Sequence, residues 1–215
     1  MVAAVAALLG ARLPIGSPGA LVAQDLSEKQ QLTIAWTELS KLFAPYAGDP
    51  ILGGSQRSLG WLQDATAKWA PASAADGRPL RESVERMTRA IRNTPDGPAK
   101  MNLLSLVNRD LGNKHAFCRI NGLSSRRRVQ VITKRDGITE VKGLEVLYLE
   151  KFLEADPTAK AHQFRGFSSP ADDDLVPGVY VFWSKEPRPD GRSGTRKESD
   201  VSDGQPSGPI EVLAP

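Results

Sequence analysis

Leu175-Val176-Pro177-Gly178-Val179-Tyr180-Val181-Phe182-Trp183 is the stretch on which the reading of this chain turns. Pro-Gly is turn chemistry, and the run behind it is β-branched and aromatic, the composition of a strand. Large apolar residues stand at consecutive positions, so both faces of that strand are expected to be covered. It reads as the central strand of a β-sandwich. Val179, Val181 and Trp183 are assigned to the partner sheet, which leaves Tyr180 and Phe182 in need of another cover. Apolar helix stripes upstream are the nearest supply, so the helices are expected to dock on this strand. If exposed instead, Tyr180 and Phe182 become ligand-site candidates.

Working outward toward the N-terminus, the pattern is helical. Ser27 to Gln30 offers a capping box, and Leu32, Ala35, Trp36, Leu39, Leu42 and Phe43 recur at the spacing of one helix face, with Pro45 as the stop. Gly53-Gly54-Ser55 reads as loop, and a second helix is expected over Ser58 to Ala70. Pro79 suits the first position of a third helix carrying Leu80, Val84, Met87 and Ile91. Pro98 opens a fourth, with Met101, Leu104, Val107 and Leu111 inside and Gly112 as its stop. Trp36 and Trp69 fall on apolar stripes and are assigned to the core; Trp61 lies off its stripe and is the surface candidate for stacking a ligand. The arginines of the third helix are interrupted by Glu82 and Glu85, which suits solvated pairs better than a phosphate-tracking ridge.

Past Gly112 the period falls to 2. Strands are expected at Ala116–Ile120, Arg128–Thr133, Val141–Leu149 with Gly143 as a bulge, His162–Phe167, Arg196–Val201 and Ile210–Leu213, with Asp172-Asp173-Asp174 in a loop. Short strands with Gly/Pro turns and no helices between them read as an antiparallel Greek-key sandwich. The fold class is therefore α+β: a small helical domain over 24–112, then a sandwich over 113–215.

The order Val129-Gln130-Val131, Asp136-Gly137, Gly143-Leu144-Glu145-Val146, Leu175-Val176-Pro177-Gly178-Val179-Tyr180-Val181 and Ile210-Glu211-Val212 resembles carboxypeptidase regulatory-like (transthyretin-like) domains. The resemblance covers about the last ninety residues, the usual size of such a sandwich. It implies a non-catalytic module of the kind found on exported or envelope proteins of bacteria, and it carries no catalytic residue onto this chain.

Residues 1–23 are rich in Val, Ala and Leu, broken by Pro and Gly, and end before the polar Gln24-Asp25. That is too short and interrupted for a spanning helix and suits a secretory signal cleaved after Ala23, although nothing basic precedes Arg12. The alternative is a disordered tail. No later stretch is long and apolar enough to cross a bilayer, so no membrane span is expected in the mature chain.

Composition narrows the chemistry. The 28 basic residues are nearly matched by 25 acidic ones, a net charge of +3, which argues against a dedicated nucleic-acid binder. The single cysteine, Cys118, and two histidines, His115 and His162, rule out a disulfide framework and a multi-cysteine or histidine-rich metal centre; no metal and no cofactor are expected. Cys118 has apolar neighbours and reads as an inert buried thiol, though a dyad with His115 is the one nucleophilic arrangement to test. Arg126-Arg127-Arg128 is the concentrated basic run: either an anion-binding patch or charge that protects an edge strand from aggregation. The leading expectation is thus an exported, secreted or periplasmic, non-enzymatic module that binds a protein, peptide or glycan of the bacterial envelope. The alternatives are an enzyme with its site at the junction near Cys118 and His115, and anionic-polymer binding through Arg126–Arg128.

Overall fold

A computed structural model describes residues 26–73, 75–164, 169–187 and 191–215. The segment read as an export signal lies outside the described residues, as does the Arg165–Phe167 end of the expected His162 strand.

Four helices come first: α1 (Glu28–Phe43), α2 (Gly53–Lys68), α3 (Arg78–Asn93) and α4 (Pro98–Asn121). The α1 start is the expected capping box, in which Gln30 N–H donates to Ser27 Oγ and Ser27 N–H to Gln30 Oε1. Its apolar stripe is buried, with Leu32, Trp36, Leu39 and Phe43 fully inside. Trp36 Nε1 donates to Thr66 Oγ1 at 3.1 Å, so the one polar atom of that ring is satisfied within the α1–α2 contact. Trp69, also assigned to the core, is only half-buried at the end of α2.

Two helix boundaries differ from expectation. Gly53-Gly54-Ser55 forms the first turn of α2, where Gly53 N–H donates to Asp49 O and Asp49 Oδ1 accepts from Ile51 and Leu52. More consequential, α4 passes through Gly112 and ends at Gly122, whose φ is 87°. Ala116–Ile120 is therefore helix, not strand. Its Phe117 and Cys118 extend the buried stripe of Leu104, Val107 and Leu111.

The chain then builds two sheets from β1 (Arg127–Arg135), β2 (Thr139–Glu140), β3 (Glu145–Glu150), β4 (His162–Gln163), β5 (Ala171–Leu175), β6 (Gly178–Lys185), β7 (Lys197–Val201) and β8 (Ile210–Leu213). One sheet runs β2-β1-β5 with β8 also on β1; the other runs β4-β3-β6-β7. Pairing is antiparallel except for β1–β8, which is parallel. Asp136 and Gly137, both at positive φ, make the β1–β2 turn, as an Asp-Gly pair does in tight hairpins. Val141–Leu149 is not one strand. β2 stops at Glu140, Gly143 lies at φ 82° in the connection, and β3 starts at Glu145.

The sheets face each other across Val129, Val131, Ala171, Leu175, Ile210 and Val212 on one side and Val146, Tyr180, Phe182 and Val201 on the other. The outer face of β3 and β6, with Leu149, Val181 and Trp183, joins the helical core. The molecule is α+β in three layers: helices, sheet, sheet. The helices dock on the Pro177-Gly178 strand as expected, but the faces are exchanged. Tyr180 and Phe182 fill the sandwich, while Val181 and Trp183 meet the helices.

Docking is held by buried charge. Lys114, fully buried on α4, is paired with Asp110 one turn earlier and donates to Pro177 O at 2.7 Å; Asp110 Oδ2 accepts from Val179 N–H at 2.9 Å. A Cβ on Gly178 would stand 2.5 Å from Asp110 Oδ2 and 3.2 Å from Lys114 Nζ, so the glycine exists to let the ion pair reach the strand. Asn113 Nδ2 donates to Gly178 O and Asp200 Oδ1, and Arg109 bridges Glu198 and Asp200 on β7. Beside this joint, buried Glu150 accepts from Ser83 Oγ at 2.5 Å and pairs with Arg86 at 2.6 Å, tying α3 to β3. Among the described residues no helix is long and apolar enough to cross a membrane.

Candidate functional site

The face shared by α2 and α4 brings together two residues that the sequence singled out separately. On α2, Ser55, Ser58 and Leu62 point inward and Trp61 lies at their edge, half-buried against the core. On α4, Asn108, Gly112, His115 and Arg119 succeed one another at intervals of three or four, which places them on one helix face. Ser55 Oγ donates to Asn108 Oδ1 at 2.6 Å, and Asn108 Nδ2 donates to Ile51 O at 3.0 Å. Ser58 Oγ and His115 Nδ1 lie 3.4 Å apart, and the Trp61 and His115 ring centroids are 5.0 Å apart with their planes at 37°. Partial burial and then the Arg119 guanidinium hold the His115 pKa below its ordinary value of 6.5, so the ring is mainly neutral at pH 7. Gly112 leaves this face low: a Cβ there would meet nothing within 4 Å, although glycine inside a helix costs roughly 0.5–1 kcal/mol relative to alanine.

The surface offers a ring to stack on, a neutral imidazole, and two arginines, Arg57 and Arg119, one turn from Trp61 and His115 respectively. Neither arginine makes an ion pair or hydrogen bond among the described residues, whereas Arg81, Arg86, Arg92 and Arg109 are each tied to a carboxylate. Ser58 beside His115 does not make a nucleophile of the usual kind. Its hydroxyl is buried between helices, and the N–H groups around it are spent on the α2 ladder instead of forming an oxyanion hole.

The other residues singled out lie elsewhere. Cys118 is one turn beyond His115 but buried, and burial pushes its thiol up to about 11; no hydrogen bond joins it to either histidine. His162 stacks on Tyr148 at 5.3 Å on the far side of the molecule's helices, at the β3–β4 pair. Tyr180 and Phe182 are buried in the sandwich, with the Tyr180 hydroxyl donating to Val176 O at 2.7 Å, so neither presents a surface to a ligand.

Arg126 is exposed, while Arg127 and Arg128 lie on β1 opposite Leu175 and Asp174 of β5. The acidic run expected in a loop is thus a strand directly beside the basic run. Arg128 is paired with Asp172, and Arg127 donates to Pro206 O. β5 pairs one side of β1 over Arg127–Val131, and β8 pairs the other side only over Val131–Lys134, so Arg127 and Arg128 have a strand on one side. Opposite charges set side by side were invisible because more than forty residues separate them. Among the described residues no group of His, Cys, Asp and Glu could hold a metal ion.

A cleft of about 620 Å³ opens where the α3–α4 turn meets the Lys151–Leu153 turn after β3. Leu103, Leu106 and Phe152 form its floor, and Asn93, Asn102 and Asp156 stand at its rim. No single residue pointed to it, because its walls come from two stretches of chain far apart in sequence.

A scan against models of protein families found no match, and searches of curated proteins and of solved structures found none either.

Proposed function

We propose that the protein is an exported, non-enzymatic binding module of a bacterial envelope, built on a transthyretin-like sandwich, and that its ligand, a protein, peptide or glycan, docks on the Trp61–His115 face. The observation that carries this reading is the 5.0 Å contact that joins Trp61, the one tryptophan off its helix stripe, to His115, beside two arginines that make no ion pair among the described residues. An aromatic ring with one side on the core and one toward solvent is a typical element of such surfaces. The reading is also supported by Cys118, whose burial and raised pKa remove it from chemistry near neutral pH.

The test is a panel of glycans and peptides titrated against the full chain while tryptophan fluorescence is followed. A ligand of this face loses at least tenfold in affinity with Trp61→Ala, while the far-UV circular dichroism is unchanged. Undiminished affinity in Trp61→Ala for every ligand found moves the site elsewhere. Export is tested separately: protein recovered from cell fractions begins at Gln24 outside the cytoplasm, and a chain beginning at Met1 in the cytosol overturns it.

A further inference from the structure

We infer that the ligand of the Trp61–His115 face is an anionic polysaccharide, with one sugar ring stacked on Trp61 and its carboxylates held by Arg57 and Arg119. The inference rests on the binding reading above and adds the chemistry of the ligand.

The geometry is that of a short track. Ser55 meets Asn108 and Trp61 meets His115, so α2 and α4 run in the same direction along this face. Arg57 lies one turn before Trp61, and Arg119 lies one turn beyond His115. At 1.5 Å per residue the guanidinium-bearing positions are about 12 Å apart along the helix axes, with the aromatic pair between them. That is an arrangement for a chain carrying negative charge at intervals and a flat ring between the charges. Both arginines are free of carboxylate partners among the described residues, so their planar forks are available to carboxylates of a ligand. Burial, and then the charge of Arg119, disfavour the His115 imidazolium, which places the positive charge on the arginine at that end of the track and leaves the imidazole for a sugar hydroxyl. The low surface at Gly112 gives a pyranose ring room to lie flat.

A nucleic-acid strand shares the negative charge and the flat rings, but the observations favour the polysaccharide. Single-stranded nucleic acid is usually held by several stacked aromatics along a continuous positive groove. Here a single half-buried tryptophan, in ring contact with His115, stands on this surface, the Arg126–Arg128 run is met by the acidic β5 strand, and the net charge of the chain is only +3.

The experiment titrates the full chain with alginate oligosaccharides, a neutral glucan oligosaccharide and single-stranded poly(dT), at low and at physiological salt. Alginate is expected to bind, to weaken with salt, and to lose at least tenfold in the Arg57→Ala/Arg119→Ala double variant, whose exposed positions leave the fold intact. Arg57→Lys/Arg119→Lys keeps the charge but not the fork, and is expected to fall between the two. Alginate affinity unchanged in the double alanine variant overturns the inference, and so does tighter binding of poly(dT). If only the neutral glucan binds, with loss in Trp61→Ala, the anionic ligand is wrong and the binding module stands. If no member of this set or of the wider panel depends on Trp61, both fail.

Discussion

On the sandwich side of β6, Tyr180 and Phe182 join Tyr148 and Phe164 in one aromatic cluster, with ring-centroid distances between 5.1 and 6.3 Å, and the surrounding side chains are aliphatic. On the helical side the same strand starts at a buried ion pair, Asp110–Lys114, and runs beside a second, Glu150–Arg86. The apolar side gains from area removed from water, on the order of 1.5–3 kcal/mol for each large side chain fully buried, and many packings would collect it. The charged side gains little net stability, because desolvation offsets attraction, but it accepts very few geometries. We read the difference as a division of labour. Apolar burial stabilises both faces, since Val181 and Trp183 join the helical core, and the charge on the helical side fixes where α4, and with it His115, sits relative to the sheet.

Removing one partner of the buried pair tests this most severely. Lys114→Met leaves Asp110 charged, buried and short of its strongest partner, and is expected to cost about 3–5 kcal/mol in denaturant unfolding. Burial already pushes the Asp110 carboxyl up, opposed chiefly by Lys114. In the variant that opposition is gone, so the folded state takes up a proton more readily than the unfolded chain. Its deficit should therefore shrink as pH falls from the raised folded pKa toward the unfolded value of about 3.9. A double change, Asp110→Asn with Lys114→Met, should recover much of the loss. If the double variant is as unstable as the single one, the charge is not what matters.

Gly178→Ala comes next. Its new Cβ would press on Asp110 Oδ2 at 2.5 Å, and both atoms that must yield are pinned, so a loss of about 1–3 kcal/mol is expected. The contrasting change lies across the strand: Ile210→Leu in the sandwich core conserves volume and should cost less than about 1.5 kcal/mol. Equal losses at the two sites would erase the proposed difference between the faces.

What the sequence disclosed follows the same line. Apolar periodicity and turn chemistry located all four helices, the Asp136-Gly137 turn and the Pro177-Gly178 strand, because those signals act over a few neighbouring residues. Features that depend on distant partners stayed hidden. Asp172–Asp174 has the composition of a loop and becomes β5 only because Arg127–Val131 pairs with it. A run of consecutive apolar residues cannot say which face meets which layer, so Tyr180 and Val181 were assigned to each other's sides. Gly112 suggested a helix end, yet the stripe Val107, Leu111, Cys118 keeps helical spacing straight through it. Lys114 falls on that stripe, one turn from Asp110, and an opposite-charge pair on a buried face is the signal that could have revealed the joint. The Trp61–His115 face was half legible: each residue stood out, and only the passage of α4 beside α2 put them together.

The smallest expected effect concerns that face, where charge is neither buried as at Lys114 nor absent as in the sandwich. Partial burial, with Arg119 nearby, lowers the His115 pKa, so the folded state resists protonation more than the unfolded chain does. A lowered histidine pKa means a cost that is absent above the unfolded value of about 6.5 and grows as pH falls below it, until the folded value is passed. Stability should then decline modestly through this window in the native protein, less steeply in Arg119→Ala, and least in His115→Gln. The measurement is the urea midpoint of the three proteins across mildly acidic pH. Parallel profiles would show that His115 faces water as an ordinary surface histidine, and the Trp61 platform would lose the ordered edge that the α4–β6 joint is there to hold in place.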